Sequence, residues 1–226
     1  DVYKRQVLGS RIIELDRHLR QHDPLMRAAR DVMRATGDEL HANLMLCSYY
    51  GDKVLCVDRY WTDNSIESSY ARGRPFPMFR GATAKPILAN LPPYQLRNLM
   101  LWHAAEIREA GLGDDWDAFR ANLKRLRTAG VCVSHGEVDR GLMGIGAAIF
   151  SGEQKVVGSL VFIASEAHTS AARLDILQAR IQVAAAEVSQ NLQSPQSNGA
   201  AAIGIMPSRP RRIRAPAGAA PVSYTH

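Results

Sequence analysis

RPFPMFRGATAKPILANLP, residues 74–92, is the stretch that decides how the rest of the chain is read. Its first half is extended and punctuated by Pro75 and Pro77, which fix φ and hold their predecessors out of helical geometry. Four small residues follow, Gly81, Ala82, Thr83 and Ala84, and open directly into a helix whose apolar side carries Ile87, Leu88 and Leu91. The first turn of a helix leaves backbone N–H groups unpaired, and the helix dipole adds partial positive charge there. Gly81–Ala84 is therefore a candidate floor for a small anion or carboxylate.

On either side of this turn the pattern is consistent. Residues 7–21 carry Ile12, Ile13, Leu15 and Leu19 near one side and are predicted helical. Asp23 and Pro24 start a second helix over 25–36, with Gly37 as its stop. Residues 41–49 and 53–61 are strand-like runs around Tyr50-Gly51-Asp52, a hairpin signal, and 65–70 is expected to add an edge strand. Ala82 or Thr83 is expected to cap the next helix, with Pro86 inside its first turn. Pro93 opens another helix, with Leu96, Leu99, Met100, His103 and Ile107 at helical spacing. Asp114 and Asp115 precede a helix over 116–127 that Gly130 ends. Strands at 131–134, 142–150 and 156–164 follow, the last two joined through Ser151-Gly152-Glu153, and a helix over 170–192 closes the set. Hairpin joins make the sheet mostly antiparallel, and strands that do not alternate singly with helices give an α+β domain. One twisted sheet is expected, with the terminal helices on one face and the middle helices crowding a pocket on the other.

Composition narrows the class. Aliphatic content is ample for a core in 226 residues, and no apolar run approaches the roughly 20 residues that span a bilayer. The three cysteines, Cys47, Cys56 and Cys132, are odd in number and widely spaced, which favours a reducing cytoplasm over a disulfide framework. Of the net charge of +6, four units come from Arg209, Arg211, Arg212 and Arg214, in a tail (194–226) without acidic residues. What remains carries no nucleic-acid footprint. The tail is rich in Gly, Ala, Pro, Ser and Arg and reads as disordered. The chain starts at Asp1, and its ends, DVYKRQ and PVSYTH, resemble translated library-adapter sequence, so both are set aside from fold reasoning.

In order and spacing, several segments resemble the effector-binding domain of IclR-type transcriptional regulators, a GAF-like fold. Leu8-Gly9-Ser10-Arg11-Ile12-Ile13-Glu14-Leu15 is similar to the end of that family's linker, and residues 36–44 and 52–59 to its first two strands. Residues 80–91 resemble its helix-opening signature, and 129–150 its long loop and following strand. The signature departs from the common HATALGKALLA in Arg80, where a small residue is usual, and in Pro86. The resemblance implies a linker helix at 7–21 and an effector-binding domain at 22–192; the adapter-like scar at 1–6 precedes them, and the disordered tail at 193–226, ending in a second scar, follows. It also implies a small organic-acid effector, a homodimer or tetramer, no membrane contact, no enzymatic activity and no cofactor. DNA would be bound only through a winged helix-turn-helix lying before Val7. Carried over by position, the effector site comprises Gly81, Ala82, Thr83 and Ala84, then Ser134, Leu142, Gly144, Val161 and Ile163, with Arg80 and Asp139 near its mouth. Arg140 is the expected partner of Asp139.

Two further chemistries are weighed. His41, Cys47 and Cys56 fall on one predicted hairpin but lack the short spacing and fourth ligand of a zinc site, so no metal is expected. Cys132 or Ser134 beside His135 invites a thiol or hydroxyl enzyme, but neighbours on a strand point to opposite faces and no third orienting group is evident. A stand-alone GAF-like thiol enzyme using Cys132 and a ligand-free dimerisation module are the alternatives to a sensor.

Overall fold

A computed structural model describes residues 10–66, 69 and 71–194. The terminal scars, residues 7–9 of the linker, the tail from 195, and Glu67, Ser68 and Tyr70 of the expected edge strand lie outside the described residues. Helices α1 (Arg11–His22) and α2 (Pro24–Leu40) precede β1 (Asn43–Tyr49), β2 (Val54–Tyr60) and β3 (Pro75–Phe76). Then come α3 (Gly81–Ala89), α4 (Pro93–Glu109), α5 (Trp116–Ala129), β4 (Cys132–His135), β5 (Leu142–Phe150), β6 (Val156–Ser165) and α6 (Ala171–Gln193). Among the described residues the strands form one sheet in the order β3-β2-β1-β6-β5-β4, antiparallel throughout, as expected of this α+β domain.

Both faces of this sheet are covered, so β1, β5 and β6 are apolar almost without interruption. The period of two divides their side chains. Leu44, Leu46, Ile145, Ala147, Ile149, Leu160 and Phe162 face α2 and α6. Met45, Cys47, Val161 and Ile163 face α3 and α5. α2 meets the sheet through Leu25, Met26, Ala29, Val32, Met33 and Thr36, an i, i+3, i+4 stripe. Its start is fixed by Pro24 in the first turn and by the Asp23 carboxylate accepting Met26 N–H at 2.9 Å. Asp115 caps α5 in the same way through Ala118 N–H at 2.8 Å. Asp115→Ala should lower stability by about 1 kcal/mol, read from the urea midpoint.

Three local expectations are corrected. Gly37 does not stop α2, which runs on to Leu40 and turns at His41 with φ 45°. Gly37 instead makes room for the Tyr60 ring, which would lie 2.5 Å from a β-carbon there. The strand edge is supplied by Pro75–Phe76 on β2, and Ile66 and Ser69 lie in no strand. Neither Ala82 nor Thr83 caps α3: the helix begins at Gly81, and Pro86 is its sixth residue, beyond the first turn. Pro86 therefore supplies no N–H for the Ala82 carbonyl. Other α3 carbonyls are served by side chains, with Ser159 Oγ donating to Thr83 O at 2.7 Å and Asn90 Nδ2 to Pro86 O at 2.9 Å.

α1 stands apart. It buries no side chain, and Ile12, Ile13, Leu15 and Leu19 are all exposed. Its described ties are Arg72 to Asp16 and Arg30 Nη2 donating to Arg20 O at 2.6 Å.

Candidate functional site

α3 enters the sheet face over the glycines of β5. At Gly146 a β-carbon would fall 2.2 Å from Ala82 O, and at Gly144 it would fall 3.1 Å from Ala82 Cβ and 3.0 Å from Ser134 Oγ. Only residues without a side chain allow the helix start to lie this close to the strand. Gly81 adopts φ +80°, and a β-carbon on it would meet Val138 Cγ2 at 2.9 Å. Glycine is needed here both for the left-handed backbone and for the space.

The first two amides of the turn have found partners on β4 and on the connection from β4 to β5. Gly81 N–H donates to Glu137 Oε2 at 2.8 Å, and Ala82 N–H to Ser134 Oγ at 3.0 Å. Lys85 Nζ, on a side chain only 11 % exposed, donates to Glu137 Oε1 at 2.6 Å. The Glu137 carboxylate thus bridges the helix amide and a nearly buried ammonium. Thr83 is 2 % exposed and its hydroxyl has no hydrogen-bond partner among the described residues. That hydroxyl lies 3.6 Å from where a Gly81 β-carbon would project, the position that Val138 Cγ2 approaches to 2.9 Å.

The residues expected at this site are brought together unevenly. Gly81, Ala82, Thr83, Ser134 and Gly144 converge at the start of α3. Ala84, Val161 and Ile163 are buried core beneath it, and Leu142 is half-buried at the start of β5. Arg80 turns away, its guanidinium 3.6 Å from Glu109 of α4. Asp139 does not pair with Arg140 as expected; it accepts from both the backbone N–H and the hydroxyl of Ser69. The sequence pattern does not mark Lys85, and it offers Glu137 only as one of several polar groups of the segment 134–140 near the expected mouth. A lone lysine inside the otherwise apolar ATAKPILA is the signal that could have found the first of them.

An open groove of about 490 Å³ lies elsewhere, where β5 runs past the start of β4. Pro86, Phe150, Gln182, Gln190 and Gln193 are among the residues lining it. The three glutamines recur at helical spacing along α6, a pattern that the sequence offered and that was not used.

The thiols are placed as core atoms. Cys47 and Cys56 face each other across β1 and β2, both fully buried, while His41 is exposed beyond the end of α2. Among the described residues no group of three or more His, Cys, Asp or Glu could hold a metal ion. Burial pushes Cys56 and Cys132 from about 9 up to about 11, and Cys47 well above its ordinary value. His135 Nδ1 sits 3.4 Å from Glu166 Oε1 and is no base for Cys132, whose sulfur approaches the Val133 carbonyl. A rise of two units leaves about a hundredfold less thiolate, so native Cys132 and Cys56 should react with Ellman's reagent about a hundredfold more slowly than in urea. Because these folded-state values are raised, the stability gained from neutral thiols is complete below about pH 9 and is lost as pH climbs through about 11. Urea midpoints across that range check the sign.

No described helix is long and apolar enough to cross a membrane. The profile of the bacterial transcriptional regulator IclR C-terminal family matches residues 18–190. The HTH-type transcriptional regulator KipR of Bacillus subtilis (strain 168) is 24 % identical over 187 residues, covering 82 % of this chain and 74 % of KipR. Among solved structures, Thermotoga maritima IclR superposes with a TM-score of 0.73 at 18 % identity, over 83 % of this chain and 76 % of that one. The Agobacterium tumefaciens repressor BlcR gives 0.63 at 18 % identity, over 83 % and 74 %. With the matched profile spanning most of the fold just described, the chain belongs to the IclR family of bacterial transcriptional regulators and carries that family's C-terminal, effector-binding domain.

Proposed function

We propose that this domain senses a small organic acid at the start of α3 and passes the occupancy to a DNA-binding domain preceding it, within a cytoplasmic homodimer or tetramer. One observation carries the reading: a carboxylate is accommodated at the turn, that of Glu137, held by Gly81 N–H and Lys85. Backbone amide, helix dipole and a nearly buried ammonium form a set that suits a small anion, and the group it holds here is a carboxylate. Thr83 supplies a further donor beside Gly81, and Val161 and Ile163 are the apolar core on which the turn rests. The action is binding and not turnover, since the thiols offer no activated nucleophile.

Sensing would work by population shift: an acid that binds one arrangement of the domain better stabilises that arrangement, and α1 carries the bias towards the DNA. The name of KipR, an HTH-type transcriptional regulator, supports a transcriptional output. The test is a thermal-shift screen of short-chain and aromatic acids on the full chain. A saturating cognate acid should raise Tm by at least about 3 °C. If no acid shifts Tm, a ligand-free dimerisation module is the better description.

A further inference from the structure

The acid site proposed above is filled by a group of the chain's own, and the fit is incomplete. Glu137 takes Gly81 N–H through one oxygen and Lys85 Nζ through the other, while Ser134 takes Ala82 N–H. Thr83 Oγ, buried beside Gly81, is left without a partner among the described residues. A buried hydroxyl without a partner carries a desolvation penalty, so its presence needs an account. The tether supplies one: Glu137 arrives on a loop and reaches two of the three donors.

The loop is fixed at Asp139 to Ser69, so the part that can exchange is the Glu137 side chain itself. Residues 136–141 run between Gly136 and Gly141, at φ 58° and 77°. Glu137 is the outer member of the ion pair, 28 % exposed against 11 % for Lys85. The acid can withdraw into water, whereas the ammonium cannot. Lys85 without a counter-charge would be costly, so whatever removes Glu137 must bring a negative charge with it.

We infer that Glu137 is a tethered ligand: it holds the α3 amide and Lys85 when no effector is bound, and a free carboxylate binds by displacing it. The incoming acid takes Gly81 N–H, Lys85 Nζ and the Thr83 hydroxyl, and exchanges one anion for another with no net change of buried charge. The inference rests on the organic-acid reading given above. A group held on a short loop competes at an effective concentration of millimolar or more, so affinity for free acids is lowered by the fraction of time the tether is seated.

The experiment titrates acetate, succinate and benzoate calorimetrically into the full chain and into its Glu137→Gln and Glu137→Asp variants. Glutamine keeps a carbonyl for Gly81 N–H but gives Lys85 no charge, so Glu137→Gln should bind any acid the wild type binds at least about tenfold more tightly, about 1.4 kcal/mol. Glu137→Asp keeps the charge on an arm one methylene shorter and should fall between the two. Circular dichroism checks that each variant is folded; if Glu137→Gln is not, the Glu137→Asp comparison decides. Wild-type binding that is unchanged or weaker in the variants overturns the displacement and leaves the organic-acid site standing. Binding of none of the three acids by any of the three proteins overturns the site reading, and the displacement with it.

Discussion

Replacing Gly146 with alanine is expected to lower the stability of the domain by about 3 kcal/mol, at the upper end for overpacking. The added carbon would lie 2.2 Å from the Ala82 carbonyl oxygen and 3.1 Å from Val161 Cγ2. The first contact is with backbone, so no rotamer change relieves it. α3 would have to lift from the sheet, and the bonds from Ala82 N–H to Ser134 Oγ and from Ser159 Oγ to Thr83 O would stretch with it. Both involve buried groups whose loss is felt in full. Gly152→Ala is the matched control: its new carbon would have the side chain of Gln193 at 3.7 Å as its nearest neighbour, and the urea midpoint should stay within about 0.5 kcal/mol of wild type. Equal midpoints for the two variants would mean that the helix start does not lie against β5.

Thr83→Val should act with opposite signs on stability and on binding. The side chain keeps its shape and loses a buried hydroxyl that has no partner, so the acid-free protein should gain about 1–2 kcal/mol. The same change removes one donor from the proposed acid site, and affinity for any acid the wild type binds should fall about tenfold. Thr83→Ser keeps the hydroxyl and should hold its affinity while losing about 1 kcal/mol of stability with the methyl group. A destabilised Thr83→Val would mean that the hydroxyl is already engaged in the free protein. Urea titration and calorimetry on the same samples separate these cases.

The strand positions, the antiparallel joins and the division of helices between two sheet faces were largely legible because they follow from local chemistry. Pro24, the Asp115 cap and the apolar runs of β1 and β6 each mark their element without help from elsewhere. The miss at Gly37 had a tertiary cause: a residue that commonly ends helices was serving the Tyr60 ring from β2. The helix opening at Gly81 was legible as a source of free amides, but what occupies them was not. Glu137 lies 56 residues away in sequence, and a carboxylate in a loop carries no mark of the helix it will meet. Asp139 was misread for the same reason, since Arg140 is adjacent whereas Ser69 is 70 residues distant.

The way α1 is fastened has a consequence of its own. A helix that sinks no apolar side chain into the body is held in position by charge: Asp16 is gripped by Arg72 from the sheet side and by Arg20 one turn along. Such clasps weaken as mobile ions accumulate, whereas the packed layers behind them do not. Raising salt should therefore loosen the angle of this arm while the globule keeps its melting point. If α1 is the joint proposed above, it would yield to forces too small to disturb the packed layers behind it.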